Sequence, residues 1–249
     1  MIRALVILTV CAALACALSL AIGSVTIAPS DLWQVVIGQG DTLNRTLLID
    51  LRLPRTLSAF AAGGLLAIAG ALMQVLLRNP LADPYVLGLS GGAATGALLA
   101  MLAGAGMLLV SRLPWLAVVV LVTAIIVLIP LARSLNVLAR GPLQAAALGV
   151  SVRPLEWTIY LLASLLTATA VTSVGSIGFV GLIVPHMLRL VLGNDQRIIL
   201  PASALAGGTL LVLADTLART VIAPEQLPVG VITALLGVPT FLYLLHRSR

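Results

Sequence analysis

Three arginines and one aspartate are the residues of this sequence whose types and spacing suggest chemistry. Arg52 and Arg55 stand on either side of Pro54, and Asp215 precedes Arg219 by four residues, a spacing at which two side chains can pair along one helix face. Arginine binds carboxylates through charge-assisted hydrogen bonds, so this set could position a protein partner. Two other interpretations stay open from the residues alone: Arg52 and Arg55 could anchor a helix at lipid headgroups, and Asp215 could relay protons.

The composition places these charges in a membrane protein. Apolar residues make up 61% of the 249 residues and charged residues 9%, whereas soluble proteins average roughly 45–50% and about 25%. Such a chain cannot hide its apolar surface from water, so lipid is the solvent for most of it. We therefore predict an all-α fold, a polytopic bundle of transmembrane helices that forms one domain over residues 1–249.

Eight apolar segments are the predicted spans. Their even number puts both termini on one side, and nine of the fourteen arginines lie near the cytoplasm if the termini do. The excess of positive charge on cytoplasmic loops therefore predicts cytoplasmic termini. We expect the first segment to remain as a span and not to be cleaved as a signal peptide. The predicted spans are residues 4–23, 56–77, 87–110, 114–132, 155–174, 176–192, 198–218 and 229–246.

Several functions are disfavoured by what the sequence lacks. It has no lysine, so it cannot supply the lysine of an ATP-binding P-loop, and any ATP must be hydrolysed by a partner. Its arginines form no basic run, which leaves nucleic-acid binding without support. Cys11 and Cys16 have no histidine or carboxylate nearby, so we expect no metal site. The sequence suggests no cofactor and no catalytic residue, and we do not expect an enzyme.

Small residues recur every four positions in the third predicted span. Gly88, Gly92 and Gly96 begin this series, which continues through Ala100 and Gly104. In lipid, small residues allow helix backbones to approach closely. We interpret the series as a packing surface, with a ligand groove as the alternative.

The segment between the fourth and fifth spans, residues 134–154, mixes apolar and polar residues. Gly141, Pro142 and Gly149 would divide it into short helices lying along the membrane. Such a segment is either a linker or a docking element for a cytoplasmic partner. His186, inside the sixth predicted span, is more consistent with a hydrogen-bonded helix contact than with a functional site.

Five stretches occur together in the order and spacing of one family. The chain resembles the FecCD-type permeases, which are the membrane subunits of ABC importers for iron-siderophore complexes, haem and cobalamin. The resemblance covers nearly the whole chain. The stretches are LRLPRT at 51–56, RNPLADP at 78–84, GFVGLIVPH at 178–186, LADTLAR at 213–219 and EQLPVGVITA at 225–234.

This resemblance implies partners for two parts of the chain. It implies that Arg52, Arg55 and Arg219 pair with acidic residues of a periplasmic substrate-binding protein. It also implies a homodimer in the bacterial inner membrane, surrounded by lipid, with a cytoplasmic ATP-binding subunit docked on residues 134–154, which we call the coupling loop. The residues of that loop that we single out are Arg140, Gly141, Gln144, Ala147 and Gly149.

The chain also departs from the family. It is shorter by about two helices, those corresponding to the usual fourth and fifth, and the fifth helix normally lines the pathway. The coupling loop lacks the glutamate that relatives commonly carry after its first glycine. Two functions therefore remain: a permease subunit, or a folded membrane scaffold that does not transport.

Overall fold

The computed structural model is all-α, as the sequence predicts. It describes residues 2–23, 29–38, 40–88, 91–92, 95, 112–223 and 225–247, and these contain no β-strand. The helices are α1 (Ile2–Ala21), α2 (Pro29–Val36), α3 (Thr42–Arg45), a π-helix (Thr46–Arg52), α4 (Leu53–Leu76), a 3-10 helix (Pro84–Leu87), α5 (Leu113–Leu138), α6 (Pro142–Ala147), α7 (Val152–Val174), α8 (Val180–Leu192), α9 (Gln196–Thr220) and α10 (Val229–Arg247).

Five helical stretches are long and apolar enough to cross a membrane. They are α1, residues 42–76 with α4, α5, α7 and α9, and two shorter apolar helices cover 180–192 and 229–243. Each overlaps one of the predicted spans. The predicted span 87–110 falls almost entirely outside the described residues. The count of eight spans and the cytoplasmic position of the termini stay predictions.

Two helix boundaries differ from the predicted ones. Helix α5 continues to Leu138 and not to 132, because Leu128, Ala132 and Leu135 bury one continuous face against the core and are at most 1% exposed. Helix α8 begins at Val180 and not at 176, because Gly175 ends α7 with φ 82° and the chain stays non-helical up to Phe179.

Helix α4 is the centre of the bundle. Every residue from 61 to 75 is buried, and helices α5, α7, α8 and α9 pack around it. Glycines make this possible. The space for a Cβ at Gly63 is taken by the carbonyl of Gly207 in α9, and the space at Gly70 by the carbonyl of Gly181 in α8. Backbones in contact without side chains between them are how helices associate in lipid.

The glycine series that we interpreted as a packing surface does not start inside a long helix. Gly88 adopts φ 72° and ends the 3-10 helix, so the long helix predicted from residue 87 does not start there. A Cβ at Gly88 or Gly92 would meet no atom within 4 Å. Gly96, Ala100 and Gly104 lie outside the described residues. Within the described part no other element packs against the Cβ positions of Gly88 and Gly92, and packing through them stays a prediction.

The crossing of α4 and α8 gives a first prediction. Replacing Gly70 with alanine should lower the free energy of unfolding by about 1–3 kcal/mol, because the new methyl group overlaps the Gly181 carbonyl. Thermal unfolding in nanodiscs measures the effect. The matched control is Gly230→Ala in α10, whose Cβ would meet only the Ser176 carbonyl at 3.8 Å. Equal unfolding temperatures for the two variants would contradict the packing described for Gly70.

Candidate functional site

An arginine cluster lies at the end of the bundle where α1 and α9 end and α4 begins. We define it by Ser19, Arg52, Arg55, Thr56, Asp215 and Arg219. These residues come from three helices and the π-helix that precedes α4. The fold thus brings together Arg52, Arg55, Asp215 and Arg219, which the sequence analysis singled out from two distant stretches.

Asp215 binds two of the arginines at once. Its Oδ1 accepts hydrogen bonds from Nη2 of Arg55 at 2.9 Å and from Nε of Arg55 at 3.1 Å. Its Oδ2 lies 3.0 Å from Nε of Arg219, so the predicted i, i+4 pair is present along α9. The carboxylate is 4% exposed. A single buried acid therefore pairs with one guanidinium from α4 and one from α9.

Arg219 points inward and ties α9 to α1. Its residue is 5% exposed, and its Nη2 donates a 2.8 Å hydrogen bond to the hydroxyl of Ser19. That hydroxyl lies 2.9 Å from the hydroxyl of Thr56 in α4. A buried charge of this kind requires such partners, since unpaired burial costs several kcal/mol.

Arg52 holds the end of α1. Its Nη1 donates to the carbonyls of Leu20 and Ala21, at 2.8 and 3.1 Å. These carbonyls lie in the last turn of α1, where no further turn follows to bond them. Gly23 gives the guanidinium room, because a Cβ there would lie 3.1 Å from Nη2 of Arg52. Arg52 is 7% exposed, so most of its surface is turned inward.

Arg55 is the arginine of the cluster that reaches solvent. Its side chain is 40% exposed, and its Nη1 donates to Oε1 of Gln226 at 2.9 Å. It lines two small cavities of about 270 and 280 Å³, one shared with Ser173 and Asp215 and one shared with Arg52 and Arg219. The cluster carries three arginines against one aspartate, and this positive excess can attract an anionic partner.

Two of these arginines lie deeper than the sequence predicts. Arg52, Arg55 and Arg219 were expected at a surface, whereas Arg52 and Arg219 have partners within the chain. Ser19, Thr56 and Gln226 were missed, because a lone hydroxyl or amide in a helix or a loop carries no signal of a tertiary contact. Docking of a partner on this cluster stays a prediction.

The coupling loop contains one short helix. α6 runs from Pro142 to Ala147 between Gly141 and Gly149, whose φ values are 124° and 81°. Ala145 is fully buried and holds the helix to the bundle, while Leu143 and Leu148 are 87% and 68% exposed. Arg140, Gln144 and Ala147 are also exposed. The short helix was predicted, whereas its exposed leucines were not.

The break between α7 and α8 is fixed by Tyr85. The hydroxyl of Tyr85 donates to the carbonyl of Ile177 at 3.0 Å and accepts from the Ile177 N–H at 3.2 Å. Burial raises the pKa of Tyr85 to about 12, so the phenol keeps its proton at neutral pH. Burial likewise raises the pKa of Asp83, whose Oδ1 accepts from the Tyr85 N–H. This contact supports the fold and offers no catalytic group.

Neither His186 nor the side chains that commonly bind metals form a second candidate site among the described residues. Nδ1 of His186 is buried without a hydrogen-bond partner among the described residues, and the hydrogen-bonded helix contact expected of this side chain stays a prediction. No group of three or more His, Cys, Asp or Glu side chains in the described part could hold a metal ion.

Comparisons with known proteins agree on one family. The model of the FecCD transport family matches residues 9–129 and 110–247. The chain is 34% identical to the uncharacterised ABC transporter permease protein YvrB of Bacillus subtilis, over 86% of this chain and 82% of that protein. It is 35% identical to the hemin transport system permease protein HmuU of Yersinia pestis, over 81% and 83% respectively.

Two further similarities extend this result. The Fe(3+) dicitrate transport system permease protein FecD of Escherichia coli is 36% identical, over 82% of this chain and 86% of that protein. A solved structure assigned to a metal-chelate type ABC transporter, in an inward-facing conformation, has a TM-score of 0.82 and 26% identity, covering 99% of this chain and 100% of that one.

The arginine cluster makes a prediction about stability. Asp215→Asn should lower the free energy of unfolding by about 3–5 kcal/mol, because it leaves the buried Arg219 guanidinium unpaired. Arg55→Gln should cost only about 0–1 kcal/mol, because Arg55 is partly in solvent. Thermal unfolding of both variants in nanodiscs gives the comparison. A cost for Arg55→Gln equal to that of Asp215→Asn would contradict the central position of Asp215.

Proposed function

Because the chain belongs to the FecCD transport family, we propose that it is the membrane-spanning permease subunit of an ABC importer for an iron-siderophore complex, haem or cobalamin. The observation that carries this proposal is the family match along nearly the whole chain. It is supported by relatives named for the transport of hemin, Fe(3+) dicitrate and vitamin B12. The choice among these cargoes is left to the substrate-binding protein.

The other parts of the importer are proposed as separate chains. Without a lysine the chain has no P-loop of its own, so a cytoplasmic ATP-binding subunit hydrolyses ATP and the permease is not an enzyme. A periplasmic substrate-binding protein delivers the cargo. Two permease copies form a homodimer in the bacterial inner membrane, each with eight spans and both termini in the cytoplasm.

The arginine cluster is the proposed docking site of the binding protein. Arg55 is the residue that meets the partner's carboxylates, because its side chain is 40% exposed. Arg52 and Arg219 contribute without touching the partner. Their charges add to the positive electrostatic potential at the surface, and their hydrogen bonds to α1 fix the geometry of the cluster. Charged residues at the edge of an interface mainly speed encounter and orient the partner.

Charge reversal tests the docking site. In proteoliposomes that hold the permease with its ATP-binding subunit, Arg55→Glu should raise the binding-protein concentration for half-maximal ATPase stimulation about tenfold or more, since like charges repel across an interface. The matched control is Arg45→Glu, an exposed arginine outside the cluster. If Arg55→Glu were stimulated like Arg45→Glu, Arg55 would not carry the contact.

Helix α6 is the proposed contact with the ATP-binding subunit. Arg140, Gly141, Gln144, Ala147 and Gly149 surround it in the loop. Large apolar side chains are costly to leave exposed to water, so the exposure of Leu143 near the start of α6 and of Leu148 just after its end favours a protein interface here. The burial of Ala145 fixes the helix to the bundle, so a push on α6 reaches the transmembrane helices.

Leu143 provides the test of this contact. Leu143→Asp should abolish co-purification of the ATP-binding subunit, because it would place a charge in a desolvated interface. Its unfolding temperature should stay unchanged, because Leu143 contributes little buried surface to the isolated chain. Arg112→Gln, a change at an exposed residue before α5 and outside the coupling loop, is the control. Retention of the ATP-binding subunit by Leu143→Asp would contradict the role of α6.

A folded membrane scaffold that does not transport is the second candidate. The two segments that match the family model overlap at residues 110–129, and the alignment with the Bacillus subtilis relative runs over 290 positions although this chain has 249 residues. Both observations favour the internal absence of helices that the family uses. Uptake by the reconstituted importer separates the candidates: a complex that assembles and hydrolyses ATP without moving cargo is the scaffold.

A further inference from the structure

A cavity of about 610 Å³ lies at the end of the bundle opposite the arginine cluster. Helices α4, α5 and α8 end around it, and α9 begins there. With the termini in the cytoplasm, this end lies at the inner surface of the membrane. Its walls carry Gln74, Arg78, Arg140, Arg189 and Asp195. Neither the docking of a binding protein nor the exposed leucines of α6 make use of it.

The cavity has more positive than negative charge. The cavity is lined by Arg78, Arg140 and Arg189. None of the three forms an ion pair among the described residues, whose two ion pairs both involve Asp215 at the other end of the bundle. Arg189 is half-buried and donates to two neutral acceptors, Oε1 of Gln74 and the carbonyl of Ala71. Its charge is therefore not balanced by any acid that the structure describes.

Asp195, the acid that lines the cavity, is already engaged. Its Oδ1 accepts from Nδ2 of Asn136 at 2.7 Å and from the Arg197 N–H at 3.0 Å, which caps the start of α9. The bond from Asn136 and then that from Arg197 lower the pKa of Asp195, so it is ionised at neutral pH. Three arginines and one ionised aspartate leave the cavity with a net charge of two positive units.

We propose that this cavity binds a phosphate-bearing anion, with Arg78, Arg140 and Arg189 as its counter-charges. Guanidinium groups bind phosphate oxygens through charge-assisted hydrogen bonds, and basic pockets between helix ends on the cytoplasmic side of a membrane hold lipid headgroups. The volume lies within the range of roughly 300–1,000 Å³ that small-molecule sites occupy. The phosphate has two possible sources, an anionic lipid headgroup and a soluble phosphate.

The position of the arginines gives such an anion a structural effect. Arg78 follows the end of α4, and Arg140 precedes Gly141, which is the N-cap residue of α6. A phosphate bound to both links the central helix of the bundle to the helix of the coupling loop. Occupancy of the cavity then stiffens α6 against α4.

Binding to the full chain in detergent tests the proposal. We expect phosphatidylglycerol, titrated against phosphatidylcholine with the same acyl chains, to raise the unfolding temperature in a saturable way. A second arm titrates inorganic phosphate into phosphatidylcholine micelles at constant ionic strength. A saturable rise in the first arm alone identifies a lipid headgroup, and a rise in the second identifies a soluble phosphate.

Variants assign the binding to the cavity. Arg78→Gln and Arg140→Gln, both at exposed residues, should each weaken the apparent affinity about tenfold, the loss expected for one charged hydrogen bond. Arg133→Gln, an exposed arginine of α5 outside the cavity, should retain it. No saturable rise in either arm, or an equal loss with Arg133→Gln, would overturn the proposal. The proposal would also be overturned if the arginine variants weakened binding of the ATP-binding subunit and left the phosphate affinity unchanged, because the cavity would then be a protein contact.

Discussion

The carboxylate of Asp215 lies between the guanidinium groups of Arg55 and Arg219, at 2.9 and 3.0 Å. Asp215 and Arg219 are both buried, so it is costly to leave either of them without a partner of opposite charge. The two arginines therefore differ in their surroundings. Arg219 is buried and binds Ser19 of α1, whereas much of the Arg55 side chain is exposed to solvent. The same acid therefore links α4 to α9 directly and, through Arg219, links α9 to α1, while the Arg55 side chain stays 40% exposed.

Lipid sets the other constraint, because apolar side chains gain nothing by leaving one apolar solvent for another. The bundle is held instead by close backbone contact, as where Gly63 meets Gly207 and Gly70 meets Gly181. Helix α4 can be buried on all sides only because its glycines and alanines take so little room. The arginine cluster and the 610 Å³ cavity thus lie at the two ends of one central helix, α4.

Much of this could be predicted from the sequence, since hydropathy locates apolar helices and the family's motifs locate the arginines. The pairing of Asp215 with Arg219 followed from their spacing of four residues. The depth of Arg52 and Arg219 could not be predicted, because it depends on where α1 ends beside them. The extension of α5 past 132 was also missed, because the burial of Leu135 and Leu138 that prolongs the helix is a tertiary contact.

An electron cryo-microscopy structure of the chain in a lipid nanodisc tests the central claim most directly. It should show the Asp215 carboxylate in contact with both guanidinium groups, with Arg219 on Ser19 and the Arg55 side chain open to the solvent. A map with Asp215 turned away from Arg219, or with Arg219 exposed and Arg55 buried, would contradict the account.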